Sequence, residues 1–171
     1  MQTLTEFFNQ AFFTIFGGIS TILIIMGGIY AIYLFLAGIS PVLMRLGKGL
    51  SKRKIAIFAD TDNFTNLKAL LVDSKIFKEK NISHIDKNSL KKAEDITLML
   101  IHWKSFEDKL DKILEIKKDS DALIIYAPQE DGRIDDQDMQ KINEHRNTII
   151  VNFRGRLLND ILVSMITTSY K

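Results

Sequence analysis

Arg154 and Arg156 flank Gly155 directly after the apolar run 148–153 and directly before the apolar-striped stretch 157–168. With the run as a strand and the stretch as a helix, the pair sits at a helix amino end. Unpaired N–H groups and the helix dipole favour anions there. Gly155 lets a ligand approach the backbone closely, and two guanidinium groups can clamp a phosphate. His102 and Trp103 follow another apolar run, 96–101, and offer a stacking surface for a base. Together these residues describe a site for a nucleotide or a cyclic oligonucleotide. A structural use of the same residues stays open: Arg154 and Arg156 pairing with Asp60 or Asp62 and closing the top of the fold. Asp60 and Asp62 themselves suit either Mg²⁺ or the capping of a helix and a turn.

Other chemistries find little support. The 171 residues include no Cys, so a disulfide framework, a thiolate metal site and a cysteine nucleophile are excluded. The three histidines, His84, His102 and His145, are scattered, and no metal site is expected. No G-x-G-x-x-G follows the first apolar run, where Asp60-Thr61-Asp62-Asn63 stands instead. No P-loop, G-x-S-x-G or H-E-x-x-H occurs. The formal net charge of +2 is too small to point to a nucleic-acid polymer as partner.

The elements that must position these residues follow from periodicity. Five short apolar runs occur at 54–59, 82–85, 96–101, 122–127 and 148–153; three are nearly continuous in Ile, Leu and Val, the pattern of strands covered on both faces. Helical patterns alternate with them at 64–78, 89–95, 135–146 and 157–168. Another is opened by Ser105 as an N-cap, with Asp108 three residues on. Five strand–helix alternations predict an α/β domain over residues 54–171. Its sheet is five-stranded, parallel and doubly wound (flavodoxin- or Rossmann-like), in the order 2-1-3-4-5. Ligands of such sheets bind outside the carboxyl ends of the strands. Besides the residues above, that places Asp86, Lys87 and Asn88, then Lys104, then Pro128, Gln129, Glu130 and Asp131, then Asn152 and Phe153 at the ligand edge.

Charge is unevenly spread. Residues 7–44 contain no Asp, Glu, Lys or Arg, so all but one of the 21 acidic and all but two of the 23 basic residues fall from Lys52 onward. An apolar stretch of this kind predicts one membrane span, at about residues 16–39, within a membrane segment 1–46. Pro41 is expected to end or kink it. A basic juxtamembrane linker, 47–53, follows. Arg45, Lys48, Lys52, Arg53 and Lys54 all lie after the span, which predicts a single-pass protein with its amino terminus outside and the α/β domain in the cytoplasm. The basic segment suits the anionic headgroups of the inner leaflet. Within the span Gly17, Thr21, Ile24, Gly28, Ala31, Phe35 and Gly38 recur at steps of four and three. Five of the seven are small, so this face predicts close packing against other copies in lipid, a homo-oligomer.

The fivefold βα pattern with acidic residues after the first strand resembles a response-regulator receiver domain, and Arg154 stands where that family has a basic residue after strand five. His102-Trp103-Lys104 ends strand three without the aspartate that would accept phosphate. The layout of one amino-terminal membrane helix and a small Rossmann-like domain resembles the membrane effectors of prokaryotic antiphage signalling, including CRISPR-associated membrane proteins with a CARF domain. That resemblance implies an inner-membrane sensor or effector, not an enzyme, that responds to a nucleotide-type signal and acts on the membrane. A membrane-tethered docking protein, recruiting a cytoplasmic partner through residues 135–146, is the alternative. A TIR-like enzyme processing nucleotides, with Asp60 and Asp62 as its carboxylates, is a further one.

Overall fold

The structure is a computed structural model and describes residue 6 and residues 11–168. The chain divides into two compact units between Leu43 and Met44.

In the first unit the apolar stretch is helical, as α1 (Ala11–Leu34) followed by a π turn (Phe35–Ile39). It is the one helix among the described residues long and apolar enough to cross a membrane, and it lies near the amino terminus. Its side chains make no core: Ile24, for example, is 74% exposed. Thr21 donates its hydroxyl to the carbonyl of Gly17 at 2.8 Å, so the one β-branched polar side chain of the small-residue stripe is satisfied within its own helix. A Cβ built at Gly17, Gly28 or Gly38 meets nothing within 4 Å among the described residues. Gly38 falls inside the π turn, where the N–H of Ser40 reaches back to the carbonyl of Phe35.

Pro41 does not end the helix. Helical structure continues through it as α2 (Ser40–Lys52), because the π turn just before Pro41 widens the backbone ladder where the proline ring needs room and offers no N–H. The expected linker at 47–53 is likewise helical as far as Lys52. Gly47 and Gly49 do not loosen it, since Gly49 is buried with Met165 packed 3.5 Å from where its Cβ would be, and Leu50 packs on the core beside it.

The second unit carries the sheet. Strands β1 (Ile55–Phe58), β2 (Ile82–Ile85), β3 (Leu98–His102), β4 (Ala122–Tyr126) and β5 (Thr148–Val151) pair in parallel in the order 2-1-3-4-5. Ile55 stands opposite both Ile82 and Leu98, Leu98 opposite Ala122, and Leu123 opposite Thr148. Crossovers run through α3 (Thr61–Asp73), a 3-10 turn (Leu90–Ala93), α4 (Trp103–Phe106) with α5 (Leu110–Ile116), and α6 (Asp136–Glu144). Helix α7 (Arg154–Thr167) closes the chain.

Alternate residues of each strand feed two cores. Ala56, Phe58, Met99, Ile101, Leu123 and Ile125 pack with Trp103, Phe106, Ile113 and Ile142 on one face. On the other, Ile55, Ile57, Leu98, Leu100 and Ile124 pack with Leu67, Leu71, Leu157 and Ile161. Both faces being apolar is why the strands read as continuous runs rather than alternating ones.

The amino ends of the strands are closed by buried polar groups. Arg53, 1% exposed, donates from Nε to the Thr97 hydroxyl at 2.9 Å and from an Nη to the Thr97 carbonyl at 2.6 Å, tying the entry of β1 to that of β3. Asn81 donates to the Ser51 carbonyl at 3.2 Å. Lys117 donates to the Arg146 carbonyl at 2.6 Å, joining the entries of β4 and β5. Asp121, also 1% exposed, accepts from the Lys118 N–H at 3.0 Å.

Candidate functional site

The carboxyl ends of the strands gather four loops. Asp60 follows β1 and is the N-cap of α3: its side chain accepts from the Asn63 N–H at 2.9 Å and from the Asn63 amide at 2.9 Å. The Ser105 hydroxyl donates to the same carboxylate at 2.6 Å. Burial raises the Asp60 pKa, but the bonds from Ser105 and Asn63 and the nearby His102 outweigh it, and the carboxyl is lowered to about 2. Asp60 is thus a fixed negative charge with its oxygens occupied. Asp62 lies exposed in the first turn of α3 and makes no hydrogen bond or ion pair among the described residues.

Ser105 is not the helix N-cap that its spacing to Asp108 predicts. Helix α4 starts at Trp103, straight out of β3, and Ser105 lies within it. With its proton committed to Asp60, Ser105 Oγ accepts from His102 Nδ1 at 2.9 Å. The other ring nitrogen, Nε2, is 3.1 Å from Asp131 Oδ2 in the turn after β4. That contact is short without hydrogen-bond alignment, and Asp131 Oδ2 is buried with no hydrogen-bond partner among the described residues. With Nδ1 donating to Ser105, a neutral ring has no proton on Nε2, which leaves Asp131 Oδ2 without a hydrogen bond from His102. Burial lowers the His102 pKa, against the pull of Asp131 and Asp60. A four-residue chain, Asp60–Ser105–His102–Asp131, therefore links the loops after β1, β3 and β4.

His102 and Trp103 do not present an open stacking surface. They are 5% and 4% exposed, and the indole packs in the core with Phe106 and Ile113. Strand β3 extends one residue beyond the apolar run, which carries His102 into the sheet, and the immediate start of α4 turns Trp103 inward. Of the other histidines, His84 lies on β2, bonded through Nε2 to the Ala59 carbonyl at 2.8 Å and stacked on Phe64. Among the described residues no group of three or more His, Cys, Asp or Glu converges as a metal site.

Arg154, Gly155 and Arg156 form the first turn of α7 rather than a loop before it, all three exposed. Neither arginine pairs with Asp60 or Asp62. Arg154 donates to the Asn66 carbonyl at 3.2 Å, and Arg156 lies 4.0 Å from Asp160. Its N-cap residue, Phe153, gives no side-chain hydrogen bond to the first turn, whose Arg156 N–H donates to the Phe153 carbonyl at 3.0 Å. Gly155 has open space where a Cβ would stand.

Three clefts flank these residues. A small one of about 220 Å³ opens at the ends of β1 and β2 beside α4, and is lined by Asp60, His84, Asp86, Lys87 and Ser105. A second of about 460 Å³ lies between the β4–α6 loop and the end of β5. Its polar lining is Gln129, Arg133 and Asn152; its apolar lining includes Ile134, Met139 and Ile150. The largest, about 730 Å³, is on the flank between the loop after β2 and α5, where lysines alternate with Glu94, Asp95 and Glu115, so its charge is mixed. Arg133 was not singled out by spacing, because it lies seven residues beyond the end of β4 and only the fold returns it to the carboxyl edge.

Comparison of the chain with protein-family models, with curated proteins and with solved structures finds no match.

Proposed function

We propose that the protein is a membrane-anchored sensor or effector whose α/β domain takes an anionic, nucleotide-type ligand at the carboxyl edge of its sheet. The observation that carries this reading is the amino end of α7. It has no capping side chain at its N-cap residue, Phe153, and bears two exposed guanidinium groups that no Asp60 or Asp62 carboxylate neutralises. A structural role for the pair would have tied them to those carboxylates, whereas Asp60 is already occupied by Ser105 and Asn63.

The apolar helix is the anchor, and the basic residues 45–54 after it favour the α/β domain on the cytoplasmic side of the inner membrane. Copies associate through Gly17, Thr21, Gly28, Ala31 and Gly38, and ligand binding shifts the equilibrium between two arrangements by its differential affinity for them. The membrane is the site of output, in keeping with the antiphage effectors that the layout resembles.

Two experiments test this. The full chain in detergent, screened by thermal shift against nucleotides and cyclic oligonucleotides, should respond to at least one, and Arg154→Ala with Arg156→Ala should abolish the response. A response fully retained by that double variant removes the assignment to α7. Replacing Gly28 and Ala31 by Leu should reduce crosslinked oligomers in membranes; an unchanged ladder removes the association face.

A further inference from the structure

We infer that the cleft between the β4–α6 loop and β5 is a binding site for a nucleoside monophosphate, with the phosphate on Arg133 and the base between Gln129 and Asn152. The inference rests on the proposed function only for the ligand class; it assigns a different place, on which that reading made no claim.

The lining argues for the class. Gln129, Arg133 and Asn152 face one cavity of about 460 Å³, and none of the three side chains makes a hydrogen bond or ion pair among the described residues. That volume is in the range of small-molecule sites, ~300–1,000 Å³. One guanidinium with no counter-ion matches one phosphate, in the bidentate manner Arg favours. Each carboxamide offers a donor and an acceptor side by side, the complement of a base edge. Ile134, Met139 and Ile150 supply an apolar floor on which a flat ring can lie, with the thioether of Met139 as a polarizable contact.

The loop that carries two of the three polar groups is held from both ends. Gly132, at φ 97°, makes the reversal that puts Arg133 on the cleft, a backbone conformation that other residues rarely adopt. Ile134, 5% exposed, pins the following residue into the core. On the other side Asp131 lies 3.1 Å from His102, at the end of the chain of groups that reaches Asp60.

Titration calorimetry of the full chain in detergent with AMP, GMP, CMP and UMP, and separately with a cyclic dinucleotide, tests the assignment. At least one mononucleotide should bind saturably. Arg133→Ala should weaken it about tenfold or more, the effect expected for a charge-assisted contact, with Arg133→Gln close behind. Asn152→Ala should change the ranking among the four bases, which loss of charge alone would not do. Both positions are exposed, so these variants should fold. Binding lost in Arg133→Ala and kept in Arg154→Ala/Arg156→Ala supports the cleft and removes the α7 assignment. The reverse pattern overturns the cleft and leaves the α7 reading standing. Failure of all four mononucleotides, or binding of the cyclic dinucleotide alone, overturns the inference as well.

Discussion

The two ends of the sheet treat polar groups in opposite ways. At the amino ends Arg53, Asn81, Lys117 and Asp121 are buried and bonded mostly to main-chain groups, each closing the entry of a strand. At the carboxyl ends Arg133, Asn152, Arg154 and Arg156 are exposed, and two of them make no hydrogen bond or ion pair among the described residues. Burying a charge is tolerable only when its hydrogen bonds are made, so the closed end is built for stability. Groups kept in water with their bonding capacity unspent are free to bind something else. The chain Asp60–Ser105–His102–Asp131 lies between these extremes: it is part-buried and bonded, yet one contact in it lacks a proton.

Substitutions at the two ends should therefore separate sharply. Arg53→Ala removes a large buried side chain with its bonds to the Thr97 hydroxyl and carbonyl; it should cost about 3 kcal/mol in urea unfolding of the full chain in detergent. Asp60→Ala removes the α3 cap and the Ser105 bond, and about 1–2 kcal/mol is expected by the same measurement. Arg133→Ala and Asn152→Ala should stay within about 0.5 kcal/mol of the parent. A cost at Arg133 equal to that at Arg53 would erase the contrast between the ends.

Acid offers a finer probe of the intermediate chain. The Asp60 carboxyl titrates near 3.8 when free and at about 2 in the fold, so the unfolded chain binds more protons in that window. Its contribution is complete above the ordinary carboxylate range and fades as pH falls from about 4 toward 2. His102 behaves alike at higher pH, since burial lowers its pKa from 6.5: stability held by the neutral ring is lost as pH falls below that value. Unfolding midpoints of Asp60→Asn and His102→Gln followed against pH should each lose one of these two slopes and keep the other. A parent curve flat between pH 7 and 5 would contradict the neutral His102.

The strands, their parallel pairing and their order were legible because uninterrupted apolar runs separated by helical periods leave few arrangements open. The strand starting at Ile82 and the one ending at Tyr126 follow the runs closely for that reason. Side-chain direction was less legible. His102 and Trp103 read as a polar–aromatic group past a strand, and only the extra residue in β3 and the abrupt start of α4 send them inward. Arg53 reads as one of five basic residues near lipid, and its burial depends on Thr97, 44 positions away. Arg133 had no local signal at all beyond Gly132, whose positive φ carries the loop back.

The π turn at Phe35–Ile39 has a last consequence for any bilayer the helix enters. Pro41 supplies no N–H, so the helix has one backbone donor fewer just past that turn, and any carbonyl left without a partner there costs more in hydrocarbon than at the hydrated boundary. In a bilayer the turn would then serve as a depth gauge, favoured near the water line. The 24 residues of α1 amount to about 36 Å of helix against ~30 Å of hydrocarbon, a surplus that leaning over absorbs.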